Sequence, residues 1–247
     1  MRATGLIEGE RRQVTVLFAD ISGFTALSER LDAEVVAALV NDCLKELVKA
    51  VYQYEGMVDK FVGDCIMAVF GAPVALEDDA EHALRAALAM RENLQGFNRR
   101  WIEKLGQPLD LHIGVNTGMV IAGNMGSDLR MSYTVMGDTV NVAARLQDAA
   151  KRGQVFVSRS TYRLTRGAFT FQAMDPIKVK GKREPLPVYE LSQAKIQPEK
   201  TRGVEGLASP LVGRERERQL LGKCLEELKR GRGQIVTVLG DAGIGKS

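Results

Sequence analysis

Histidine, cysteine and tryptophan are scarce in this chain: its 247 residues include two, three and one of them respectively. Cys43, Cys65 and Cys224 are odd in number and far apart, which excludes a disulfide framework and any zinc-binding spacing. Cys43 and Cys65 fall in apolar helix and strand patterns and read as buried thiols. A reducing compartment fits them, so a cytoplasmic location is expected. His82 lies in a helical pattern and His112 in a strand, so no histidine-centred catalytic group stands out. Surface or satisfied structural roles are expected for both. No run approaches about 18 uncharged apolar residues, and the N-terminal MRATGLIEGERRQ has no apolar signal core. Neither a membrane span nor a secretion signal is therefore expected. A strong charge is missing too, the net value being +3. Nine basic and six acidic side chains after residue 200 supply all of it, leaving residues 1–200 neutral. Such a balance argues against nucleic acid or an acidic membrane as a partner.

What is present is ordinary globular material, 45% apolar and 26% charged, enough for one full domain plus a fragment. VTVLFA, Val14 to Ala19, is a dense apolar run ending at Asp20, which predicts a central strand. Ser22-Gly23 turns the chain, and a helix is expected from about Thr25. From Ala33 to Tyr54, residues Val36, Leu39, Val40, Leu44, Leu47, Val48 and Val51 recur at helical spacing, and Gly56 stops the helix. MVDKFVGDCIMAVFG reads as two strands around a Gly63-Asp64 hairpin. Pro73 closes the second strand. Glu77, Asp78 and Asp79 open a long helix with Ala83, Ala87, Met90 and Leu94 inward. LDLHIGVNTG, VIAG and MSYTV are separate strand-like pieces. A helix begins at Gly137-Asp138 and runs through Leu146. VFV, IKVK and PVYEL complete the pattern as short strands. This order predicts an α+β sandwich, a mixed sheet with its helices packed on one face.

That domain covers residues 10–192. A polar stretch with Pro and Gly, within residues 193–210, reads as a linker. From 211 to 247 a second unit opens with an amphipathic helix, LVGRERERQLLGKCLEELKRG. IVTVL, Ile235 to Leu239, is the expected strand after it. GDAGIGKS then fits the Walker A phosphate loop, with Gly240, Gly245, Lys246 and Ser247 at its defining positions. Lys246 would reach phosphates and Ser247 would hold Mg²⁺ in an intact domain. No acidic Walker B partner follows here, so no NTPase activity is expected of this unit.

The chemistry is therefore sought upstream. Asp20 ends an apolar strand, which puts a carboxylate at the rim of a sheet. Alone it reads equally well as a helix N-cap, and Asp64 alone as a turn former. Together, two rim carboxylates can hold divalent metals that bridge phosphate oxygens. ISGFT supplies a small polar turn with free N–H groups suited to phosphate. Asn141 and Arg145 are four apart and share one helix face. They read as a solvated stripe or as an amide and a guanidinium presented to a phosphate.

FADISGFT, FVGDCIMAVFG, IGVNTG, YTVMGDTVNVAARL and VKGKREPLPVYEL occur in this order. In order and spacing they resemble the motifs of the class III nucleotidyl cyclases, the adenylyl and guanylyl cyclase catalytic domain. The resemblance spans Arg12 to Leu191 and implies a ferredoxin-like cyclase sandwich. It implies that Asp20, Asp64 and the Ile21 carbonyl bind two Mg²⁺ or Mn²⁺ ions, and that the Phe24 and Thr25 amides touch the phosphates. Asn141 would orient the ribose, Arg145 would stabilise charge on the α-phosphoryl group, and Lys180 would bind phosphate. The implied reaction is in-line attack of the ribose 3′-hydroxyl, giving a cyclic nucleotide and pyrophosphate. Lys60 and Thr134 occupy the positions that contact the purine. A lysine suits the N1 acceptor of adenine and a threonine hydroxyl its N6 amino group, so ATP is the expected substrate. Guanylate cyclase remains an alternative, because a hydroxyl both donates and accepts. A non-catalytic nucleotide-binding or dimerisation module acting on a downstream ATPase is another. The resemblance also implies a head-to-tail homodimer, with carboxylates from one chain and Asn141 and Arg145 from the other. VGRERE resembles the entrance to the AAA-type or signal-transduction ATPase modules, which would regulate the cyclase within a longer chain.

Overall fold

A computed structural model describes residues 9–23, 30–127, 130–178, 184–196, 215–233 and 235–237. The chain divides into two compact units, Met1–Thr201 and Arg202–Ser247. In the first, the described elements are β1 (Gly9–Ser22), α1 (Ala33–Gln53), β2 (Met57–Val62), β3 (Cys65–Phe70), α2 (Asp79–Leu105), β4 (Asp110–Ser127) and β5 (Arg130–Met136). They continue with α3 (Asp138–Ala149), β6 (Val155–Ser158), α4 (Arg159–Thr165), β7 (Phe169–Ile177) and β8 (Leu186–Ala194).

The strands form one mixed, mainly antiparallel sheet in the order β2-β3-β1-β4-β6-β8-β7, with β5 paired to β4. β4 and β6 are its parallel pair. Alternation along β1 sorts the two faces. Leu17, Ala19 and Ile21 enter the main core with Ile66, Phe70, Leu111 and Ile113. The buried stripe of α1, Val36, Leu39, Cys43, Leu47, Ala50 and Val51, closes this face together with α2. Each large side chain removed from water there contributes about 1.5–3 kcal/mol. Val16, with Phe18 packed beside it, faces the other way, into a smaller cluster with Met67, Val120, Val135 and Ala143. α3, which carries Ala143, thus crosses the second face while the long helices cover the first. Gly106, in the left-handed region at φ 72°, ends α2.

Several local expectations change. IGVNTG and VIAG are not separate strands but parts of one 18-residue strand, β4. Gly118 interrupts the apolar pattern because α3 comes close at that point: a Cβ there would lie 2.7 Å from Thr139 Oγ1. β7 occupies Phe169–Ile177 and so takes in only Ile177 of IKVK; Lys178 follows it without regular structure, and Val179 and Lys180 lie outside the described residues. α4 is too short for an apolar stripe; Ser158 caps it by accepting a hydrogen bond from the Thr161 N–H.

In the second unit, α5 (Glu215–Lys229) forms from the amphipathic segment, with no buried residue and with Leu220, Leu221, Leu225 and Leu228 exposed. Residues 235–237 of IVTVL form no strand, having no neighbouring strand to pair with among the described residues. Val238, Leu239 and the whole phosphate loop, with Gly240, Gly245, Lys246 and Ser247, lie outside the described residues.

Candidate active site

The β1–β4 register places Asp20 opposite His112, and the β1–β3 register places Ala19 opposite Ile66. The β2–β3 turn, with Gly63 at φ 65°, therefore delivers Asp64 beside the end of β1. Both carboxylates are partly buried. Burial first, and then the charge of Asp20, hold the Asp64 carboxyl above its ordinary value, while its own backbone N–H and His112 pull it down. Cys65, buried, follows Asp64 directly in the chain. Burial pushes its thiol up to about 12, with Asp20 and Asp64 adding to the effect, so it is inert as a nucleophile.

His112 is satisfied, as expected, but by the site itself. Its Nε2 lies 2.8 Å from Asp20 Oδ2. Its Nδ1 lies 3.1 Å from both the Gln147 backbone oxygen and the Gln147 side-chain Nε2. Imidazolium can donate to Asp20 and to that carbonyl. Neutral imidazole can instead accept from the amide at Nδ1. The Asp20 hydrogen bond is the main reason His112 sits above its ordinary value. Partial burial opposes it, and the Gln147 carbonyl and Asp148 reinforce it. No local sequence signal marked this link, because residues 20, 112 and 147 meet only through the β1–β4 register and the packing of α3.

Lys60 and Thr134, 74 residues apart, converge: Lys60 Nζ donates to Thr134 Oγ1 at 3.3 Å. Thr134 is buried in β5, and Lys60 keeps an exposed flank on β2. Asn141 is exposed on α3 and Arg145 partly so. The inner side of that helix is Val142, Ala143, Leu146 and Gln147. Ile21 is buried in the core, so any metal role would fall to its backbone oxygen. Phe24, Thr25 and Lys180 lie outside the described residues. Asp59, beside Lys60, drew no attention in the sequence, yet its side chain is fully buried.

Among the described residues, no group of three or more His, Cys, Asp or Glu side chains could hold a metal. Asp20 and Asp64 offer only hard carboxylate oxygens. Such a set suits Mg²⁺ or Mn²⁺ with a phosphate or water completing the shell, and not a thiolate- or imidazole-bound metal. The charge of Asp20 already opposes ionisation of Asp64, a conflict that a divalent cation between them would relieve. No described helix is long and apolar enough to cross a membrane.

Residues 7–193 match the family described as adenylate and guanylate cyclase catalytic domain. Adenylate cyclase 1 of Rhizobium meliloti (strain 1021) is 34% identical over 183 residues, covering 73% of this chain and 28% of that protein. The chain thus spans under a third of that relative's length. Among solved structures, the adenylyl cyclase CyaB from P. aeruginosa is similar at TM-score 0.74 and 38% identity, over 77% of this chain and 99% of that one. The guanylyl cyclase Cya2 is similar at TM-score 0.72 and 33% identity, over 76% and 95%.

Proposed function

Because the chain belongs to the adenylate and guanylate cyclase catalytic domain family, we propose that it is an adenylate cyclase, forming 3′,5′-cyclic AMP and pyrophosphate from ATP. The observation that carries the choice of base is the Lys60–Thr134 contact at 3.3 Å. It sets an ammonium donor beside a hydroxyl able to accept, a pattern complementary to N1 and N6 of adenine. Guanine would turn an N1–H donor toward the lysine. A buried mismatch of that kind costs about 1–3 kcal/mol.

Asp20, Asp64 and the Ile21 carbonyl would hold two Mg²⁺ or Mn²⁺ ions, which when bound supply charge neutralisation of the triphosphate and acidify the ribose 3′-hydroxyl. The chain's own groups do the rest. Asn141 orients the ribose. Arg145 meets the charge that develops on the α-phosphoryl oxygens with its planar fork. The Phe24 and Thr25 amides and Lys180 bind the remaining phosphate charge. The in-line displacement needs no protein nucleophile, which agrees with thiols as inert as those of Cys65 and Cys43, each pushed up to about 12.

The working unit in this reading is a head-to-tail homodimer whose sites take the carboxylates from one chain and Asn141 and Arg145 from the other. Exposed Phe61 and Val62 at the β2–β3 hairpin, with Met119, Met131 and Met136 on β4 and β5, support an apolar contact surface. Residues 211–247 are read as the start of a P-loop ATPase module that regulates the cyclase within a longer cytoplasmic protein. The test is direct: incubate the purified 247-residue chain with Mn²⁺ and ATP or GTP, and quantify cyclic nucleotides. Cyclic AMP in excess of cyclic GMP, abolished by Asp20→Ala, is expected. No product above the Asp20→Ala background would reject the enzyme, and dominant cyclic GMP would reject only the base assignment.

A further inference from the structure

The register of β2 against β3 shifts between Val58 and Lys60. In an unbroken strand, Asp59 and Lys60 would project from opposite faces. An irregularity of this kind leaves one residue unpaired and re-aims its neighbours. Here the Asp59 side chain is 0% exposed, and the ammonium of the next residue, Lys60, lies 3.0 Å from Asp59 Oδ2. The approach falls outside hydrogen-bond geometry, so both Asp59 oxygens are buried without a hydrogen bond among the described residues. A carboxylate in that position is costly unless a cation balances it. The balancing cation is Lys60, which also donates to Thr134 at 3.3 Å.

Lys60 is thus held from two sides by buried groups, while 48% of its own side chain stays exposed. An ammonium has three donors, and this arrangement leaves capacity directed outward. A lysine head is otherwise free to sample many rotamers, and ordering it on binding weakens affinity. We propose that Asp59 is a positioning residue for base selection: its buried carboxylate pins the Lys60 ammonium beside Thr134, ready to donate to a purine ring nitrogen. This rests on the reading of Lys60 and Thr134 as the adenine-reading pair. It has a corollary for redesign. Lys60→Glu alone would set a second carboxylate against buried Asp59, so a switch toward guanine requires Asp59→Asn as well.

The experiment compares ATP with 1-deaza-ATP, which lacks the N1 acceptor, on the full chain and on Asp59→Asn. The unmutated protein should favour ATP by roughly tenfold in kcat/KM. Asp59→Asn should raise KM for ATP about five- to tenfold with little change in kcat, leave 1-deaza-ATP unaffected, and so erase the preference. An equal loss on both substrates would mark Asp59 as merely structural and overturn the proposal. No preference in the unmutated protein would reject the Lys60 reading itself, and the proposal with it. A second arm needs no turnover. Lys60→Met should lower the melting temperature by stranding Asp59, and adding Asp59→Asn should restore it. A further fall in the double variant would show that Lys60 does not balance the carboxylate, which also overturns the proposal.

Discussion

Replacing Gly114 by alanine probes how closely the sheet is joined to the helix that bears Asn141 and Arg145. Gly114 lies in β4 on the face crossed by α3. A Cβ there would sit 2.2 Å from the Gln147 backbone nitrogen, 2.3 Å from the Ala143 carbonyl oxygen and 2.9 Å from Gln147 Cα. All three are helix backbone atoms, so no rotamer change relieves the clash. Ordinary contact begins near 3.4 Å, so strand and helix must part by about 1 Å in a close-packed interior. Overpacking of this kind costs about 2–3 kcal/mol. For a domain of this size that lowers the melting temperature by about 5–10 °C. The displaced helix also carries the Gln147 atoms that meet His112 at 3.1 Å. A misplacement of about 1 Å costs on the order of a hundredfold in turnover when it reaches catalytic groups. Circular-dichroism melting gives the first quantity. Cyclic-nucleotide production, measured well below the transition, gives the second. Gly96→Ala is the control: it lies within α2, its nearest neighbour is Arg99 Nη2 at 3.8 Å, and it should gain about 0.5–1 kcal/mol. A Gly114→Ala protein that melts within about 1 °C of the parent and turns over as fast would refute the packing argument.

Two further outcomes are expected, the first resting on the proposed head-to-tail dimer. Mixing Asp20→Ala with Arg145→Ala chains should recover activity, because one of the two sites in each mixed dimer inherits both intact halves; random pairing gives roughly a quarter of the parent rate. No recovery despite demonstrated subunit exchange would remove the shared-site dimer. The folded state holds His112 above its ordinary value of 6.5, chiefly through Asp20. The stability this adds is complete below the unfolded value and is lost as pH rises through the raised folded one. Without metal, the melting-temperature advantage over His112→Asn should therefore be largest below the ordinary value of 6.5 and shrink as pH rises above it. A constant difference through that rise would exclude the ion pair as its source.

Residues whose placement is local could be read directly from the chain. Asp20 closes a dense apolar run, Gly63-Asp64 interrupts two β-type runs, and Asn141 and Arg145 stand one turn apart after Gly137-Asp138. Strand, hairpin and helix appeared there because periodicity and turn chemistry act over a few residues. Edge and composite elements were harder to read. β7 lies at the sheet edge with most of its side chains partly or fully exposed, so its apolar signature is weak. The glycines of β4 resembled breaks, although Gly114 and Gly118 are where α3 comes closest. Residues 235–237 of IVTVL had the composition of a strand but, among the described residues, no strand beside them, and backbone groups without pairing partners do not make a sheet.

By itself, the sequence determined the sheet-and-helix class, the two rim carboxylates and the polar face of α3, since each follows from spacing along one segment. Tertiary structure alone decided that His112 would grip Asp20, and that Lys60 would donate directly to Thr134, a pair the family resemblance had set at one purine. It also decided that Asp59 would turn inward beside Lys60 instead of alternating away from it. These contacts depend on inter-strand register and on one strand irregularity. Register is set by how whole faces pack against a common core, and no short window of sequence contains that information.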